Sequence, residues 1–146
     1  FIVRVGDGRG YAALTKVSFS VAAQFQGLSS SQRSSIWIKP DGVKYFAGDL
    51  SEQEQKLVWA THYPPAADLL DQQNLDEVAW RSKPSWYILA QKDQTVHPDL
   101  QRFLAKRMNA TTVETNSSHV TMLSQPDLVI EVIRKAAAAV QASRSK

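Results

Sequence analysis

Asp93 and His119 are the residues of this chain best suited to chemistry. Each follows a short apolar run, Trp86-Tyr87-Ile88-Leu89-Ala90 and Thr111-Thr112-Val113-Glu114-Thr115. A carboxylate on one imidazole nitrogen fixes the tautomer, and the second nitrogen can then take a proton from a hydroxyl nucleophile. An acid followed by a histidine, each beyond a strand end, is the second half of a Ser…Asp…His order. The first half would be a serine on a sharp strand-to-helix turn. No G-x-S-x-G occurs in the 146 residues.

Other serines serve the nucleophile role poorly. Ser29 has Gly27 two before it but Ser31 two after, and it sits in a polar, serine-rich stretch. Ser117 and Ser118 adjoin His119 and read as loop-shaping residues. Ser124, three before Asp127, reads as a helix N-cap. His62 could touch a substrate, but a surface histidine is the simpler reading. His97, four after Asp93, makes a single D-x-x-x-H pair with no third ligand, so no metal site is assigned. Asp68, Asp71, Asp76 and Glu77 read as a solvated face. Gly6, Gly8 and Gly10 form G-x-G-x-G, which fits neither the dinucleotide fingerprint nor the P-loop and reads as a turn.

The elements that must position Asp93 and His119 are clearest in the last third. Leu100, Phe103, Leu104 and Met108 recur at spacings of three and four, which predicts a helix behind Pro98. Leu128, Val129, Val132, Ile133, Ala136 and Val140 predict a terminal amphipathic helix, with Pro126 in its first turn. The order strand, acid loop, helix, strand, His loop, helix predicts two right-handed parallel crossovers in an α/β domain. Chemistry in such domains sits beyond the carboxyl ends of the strands.

Upstream, Ile36-Trp37-Ile38 and Pro40-Asp41-Gly42 predict a strand and turn. Ser51 and Glu54 form a capping box that opens a helix carrying Leu57 and Val58. Pro64-Pro65 stops it, and 66–72 can open another. Phe1–Val5 reads as a strand, Leu14–Phe25 is apolar without a period, and 29–35 reads as a loop. There is no internal repeat and no second domain.

Composition narrows the function classes. At 43% hydrophobic and 21% charged, the chain can bury a core. Its net charge of +3 is spread along the sequence apart from Arg134-Lys135 and Arg144-Ser145-Lys146, which argues against a nucleic-acid partner. No apolar stretch is long enough to cross a membrane. The absence of cysteine excludes disulfides, Cys-ligated zinc and a thiol nucleophile. With no signal-peptide pattern, it is compatible with a cytoplasmic protein.

Around the acid and the base the sequence resembles the C-terminal half of the α/β-hydrolase fold. The resemblance is to the small esterase-like group that includes plant methyl esterases and hydroxynitrile lyases. It rests on Lys83-Pro84-Ser85-Trp86-Tyr87, Lys92-Asp93, Leu100-Gln101-Arg102-Phe103 and Ala105-Lys106-Arg107. It continues through Ser118-His119-Val120 and Met122-Leu123-Ser124-Gln125-Pro126. The order and spacing of these motifs carry it, from about Ile36 to about Val140.

The resemblance implies a partial α/β-hydrolase fold, with parallel strands, flanking helices and a small helical lid over about 46–74. Residues 1–33 match poorly; 34–146 would be the C-terminal part of the hydrolase domain. Asp93 takes the place of the triad acid and His119 that of the base, with Val96 and Val120 as substrate contacts. The whole fold usually needs about 200–250 residues. The chain is therefore expected to be a fragment or shortened product, with elbow and oxyanion-hole strand upstream of residue 1.

The function so implied is hydrolysis of a small carboxylic ester through an acyl-enzyme, without a cofactor. Hydroxynitrile lyases of this group carry a lysine directly after the catalytic histidine; Val120 stands there, which favours ester hydrolysis. The alternative is a degenerate, non-catalytic domain that binds a small apolar ligand or a partner chain. An uncovered sheet edge would favour homo-oligomers.

Overall fold

A computed structural model describes residues 19–23, 34–63, 65 and 78–144. The expected strand Phe1–Val5, the glycine turn, Ser29, the acidic stretch 68–77 and the second helix of the proposed lid lie outside the described residues.

Two small sheets organise the described residues. The first pairs β1 (Phe19–Ala23) antiparallel with β2 (Ser34–Ile38), with Phe19 opposite Ile38 and Ala23 opposite Ser34. The strand at β1 was not expected, since Phe-Ser-Val-Ala-Ala shows no strict alternation of apolar and polar residues. β2 contains the expected Ile36-Trp37-Ile38. A 3₁₀ turn at Pro40–Gly42 leads into the short helix α1 (Val43–Phe46). Helix α2 (Glu52–Thr61) follows.

The expected capping box opens α2. The Ser51 N–H donates to Glu54 Oε2 at 2.9 Å, and the Glu54 N–H donates to Ser51 Oγ at 3.3 Å. The Ser51 hydroxyl, then its N–H, holds the exposed Glu54 carboxyl below its ordinary pKa. The Trp59 indole N–H donates to the Ile38 carbonyl at 3.1 Å and fastens α2 to the end of β2.

The second sheet is parallel. β3 (Trp86–Ala90) and β4 (Thr111–Thr115) run in register from Trp86 opposite Thr111 to Ala90 opposite Thr115. Parallel neighbours require a crossover, and α3 (Pro98–Arg107) supplies it while packing on β3. This closes one of the two expected crossovers. After β4 come α4 (Thr121–Ser124) and α5 (Pro126–Arg144), with no further strand among the described residues. Leu89 and Ala90 of β3, Leu104 and Ala105 of α3 and Val132 of α5 are buried around this sheet. Among the described residues no helix is long and apolar enough to cross a membrane.

Three expectations about the helices change. Ser124 does not cap α5; it closes α4. The Gln125 carbonyl accepts from the Val129 N–H at 3.2 Å, so Gln125 holds the cap position. On α5, Ile133 stays 61% exposed although it was placed on the apolar face. On α3, Phe103 is 54% exposed and Gln101 is buried in its stead. The buried stripe of α3 is Gln101, Leu104 and Ala105, the i, i+3, i+4 series of one helix face.

Candidate active site

β3 and β4 end side by side, and the loops that leave them carry the acid and the base. Backbone bonds tie the two loops together: the Gln91 N–H donates to the Thr115 carbonyl at 2.9 Å and the Lys92 N–H to the Ser117 carbonyl at 3.0 Å. The adjacent strand ends therefore place Asp93 against His119. His119 Nδ1 donates to Asp93 Oδ2 at 2.8 Å. A carboxylate only accepts, so the proton belongs on Nδ1 and Nε2 is left as a proton acceptor. The Asp93 side chain is 4% exposed and that of His119 35%.

Buried carboxylates need several donors, because an unpaired ion in a dry site is costly. Asp93 has four. Its Oδ1 accepts from the N–H of Thr95 at 2.7 Å and of Val96 at 3.0 Å. Its Oδ2 accepts from His119 and from Gln101 Nε2, the latter at 2.9 Å. Gln101 also donates to the Val96 carbonyl at 2.8 Å and accepts from the Ala90 N–H at 3.1 Å. One amide from α3 thus ties the end of β3 to both sides of the acid loop. Burial, then the Asp93 charge, pushes the half-buried Tyr87 hydroxyl above its ordinary pKa.

The His119 loop is held on its other side by α1 and the turn that follows it. The Asp49 carboxylate accepts from the Ser118 N–H at 2.9 Å and, through its other oxygen, from the Ser118 hydroxyl. Burial works against ionisation of Asp49, but hydrogen bonding from the Ser118 hydroxyl and N–H, then from the Ser124 hydroxyl and its own N–H, together keeps its carboxyl below the ordinary range. The Phe46 ring lies 5.0 Å from the His119 ring, tilted by 45°. Val120 is buried with Ile38, Val43 and Ala47. Gly48 is required in the turn before Asp49, because a Cβ there would run into the Lys44 carbonyl.

The other candidates have structural roles. Ser117 is fully buried, with its hydroxyl 2.7 Å from that of Thr121. Ser118 is bound to Asp49 as above, so both serines shape the loop. His97 caps α3 by accepting from the Asp99 N–H at 3.2 Å. His62 caps the end of α2, with Nδ1 donating to the Trp59 carbonyl at 2.5 Å and its ring edge-on to Trp37. Val96 is partly buried beside Asp93, whereas Val120 belongs to a core cluster. Among the described residues no three His, Cys, Asp or Glu side chains are grouped to hold a metal.

Gln101 and Asp49 were missed from sequence. Gln101 carried a usable signal, a polar residue on the i, i+3, i+4 stripe of an otherwise apolar face. Asp49 carried none, since its partner lies 69 positions away.

A carboxylate and an imidazole on adjacent loops past the carboxyl ends of parallel strands, with a crossover helix between those strands, define an α/β architecture. The chain belongs to the α/β-hydrolase family, whose model matches residues 5–132. Its parallel pair and flanking helices are part of that fold. The crystal structure of polyneuridine aldehyde esterase is similar, with a TM-score of 0.63 at 18% identity over 85% of this chain and 49% of that one. The chain therefore spans about half the length of that esterase. No curated protein sequence matches it.

Proposed function

We propose that Asp93 and His119 are the acid and base of a Ser-His-Asp triad that hydrolyses small carboxylic esters through an acyl-enzyme. The observation that supports this reading is the 2.8 Å hydrogen bond from His119 Nδ1 to a carboxylate fixed by three further donors. The esterase among similar structures supports the reaction class.

In this mechanism His119 Nε2 takes the serine proton as the serine oxygen attacks the ester carbonyl. It returns that proton to the leaving alcohol as the C–O bond breaks. Water then repeats the cycle on the acyl-enzyme. Asp93 holds the ring in the Nδ1–H form and stabilises the imidazolium. The serine and its oxyanion hole would come from sequence outside these 146 residues. The segment from Phe46 onward would shape the substrate pocket as a lid, and Val96 would contact substrate. Val120, where the related lyases carry lysine, supports hydrolysis over cyanohydrin cleavage.

The test is to express the chain with the codons that precede Phe1 in frame. A fluorophosphonate is expected to label one upstream serine, and activated esters are expected to turn over. His119→Ala is expected to lower turnover by roughly 10³–10⁶-fold. The reading fails if no serine is labelled or if His119→Ala leaves turnover intact. The 146-residue chain alone is expected to give no burst of alcohol product.

A further inference from the structure

We propose that Asp49 is a positioning residue for the histidine base, acting through Ser118 to lock the His119 loop from the segment that follows β2. The inference rests on the reading of Asp93 and His119 as an acid–base pair.

Asp93 fixes one ring nitrogen of His119, and the Lys92 N–H to Ser117 carbonyl bond ties the start of its loop to the Asp93 loop, but both contacts come from the β3 side. The residue before His119 adds a hold from the opposite side. Ser118 is buried and presents two donors, N–H and hydroxyl, one to each oxygen of Asp49. A carboxylate gripped at both oxygens fixes orientation as well as distance. The residue after His119 is held from the same segment, because Val120 is buried against Val43 and Ala47. Phe46 then covers the His119 ring itself. The stretch Val43–Asp49 thus grips residues 118, 119 and 120 in turn, and Asp49 is its polar anchor.

The design also accounts for Gly48. The close approach to the Lys44 carbonyl turns the chain sharply after α1 and delivers Asp49 to the His119 loop. A purely structural role for Asp49 would stabilise the fold without changing the histidine tautomer.

The test uses the chain uniformly labelled with ¹⁵N. The readouts are exchange of the Ser118 amide and the downfield proton on His119 Nδ1. In Asp49→Ala both protons are expected to exchange roughly ten- to a hundredfold faster, as loss of a charge-assisted hydrogen bond implies. Asp49→Glu is expected to restore part of the protection. Ser118→Ala, which keeps the backbone donor, is expected to fall between wild type and Asp49→Ala. It also serves if Asp49→Ala does not fold.

The inference is overturned if the Nδ1 proton of His119 is unchanged while the Ser118 amide loses protection. It is equally overturned if Ser118→Ala, with the fold retained, leaves His119 unaffected. Asp93→Asn separates the two layers. If that change leaves the Nδ1 proton unaltered, the pair reading fails; if it removes the proton and the Asp49 variants do not, only the role of Asp49 fails.

Discussion

Gln101 Nε2 donates to Asp93 Oδ2 at 2.9 Å, on the same oxygen that accepts from His119. The Asp93 carboxylate is therefore oriented by the crossover helix as well as by its own loop. A side chain that joins strand end, acid and loop carbonyl in one buried network sets the geometry of the whole site.

Gln101→Met keeps the volume and removes the amide. It leaves the Ala90 N–H and the Val96 carbonyl without this partner and takes one donor from Asp93. Each unsatisfied buried group costs about 1–3 kcal/mol, so the variant is expected to lose at least that much stability. Urea denaturation checks it, and an unchanged midpoint would contradict the network's importance.

Leu89 is the fourth residue of β3 and is fully buried. Leu89→Ala is expected to cost about 2–5 kcal/mol through lost burial and the cavity left behind. The loss should appear as a lower urea midpoint. Ile133→Ala, at a residue 61% exposed, is expected to change the midpoint little.

Acid should weaken one surface link in a defined window. Glu114 is held at about 2, down from 4.5, first by Arg102 and then by Gln91. A carboxyl whose pKa is lower folded than unfolded contributes stability when ionised. That contribution is complete above the unfolded value and fades as pH falls through the folded one. Wild type is thus expected to exceed Glu114→Gln in stability above about pH 4.5, with the difference closing towards pH 2. A difference that does not vary with pH would contradict the ion pair as its source.

Much of this was legible in the sequence, for local reasons. Asp93 and His119 stood out because short apolar runs and helical spacing fix the strand ends, and a parallel pair brings those ends together. The Ser51–Glu54 box was readable because both its partners lie within one helical turn. Three other features were not. The strand Phe19–Ala23 lacks the alternation that marks a half-buried strand. Ser124 shares its spacing to Asp127 with true caps, yet the short helix Thr121–Ser124 absorbs it. Asp49 meets Ser118 only after the chain has folded back across 69 positions, a distance at which local pattern says nothing.

The central claim is that Asp93 holds His119 in the Nδ1–H tautomer. The most direct measurement is the nitrogen-resolved proton spectrum of His119 in the wild-type chain and in Asp93→Asn. Wild type is expected to show a downfield, exchange-protected proton on Nδ1. Asp93→Asn is expected to lose it while retaining a cooperative melt. A proton found on Nε2 in wild type, or an Nδ1 proton indifferent to Asp93→Asn, would contradict the account.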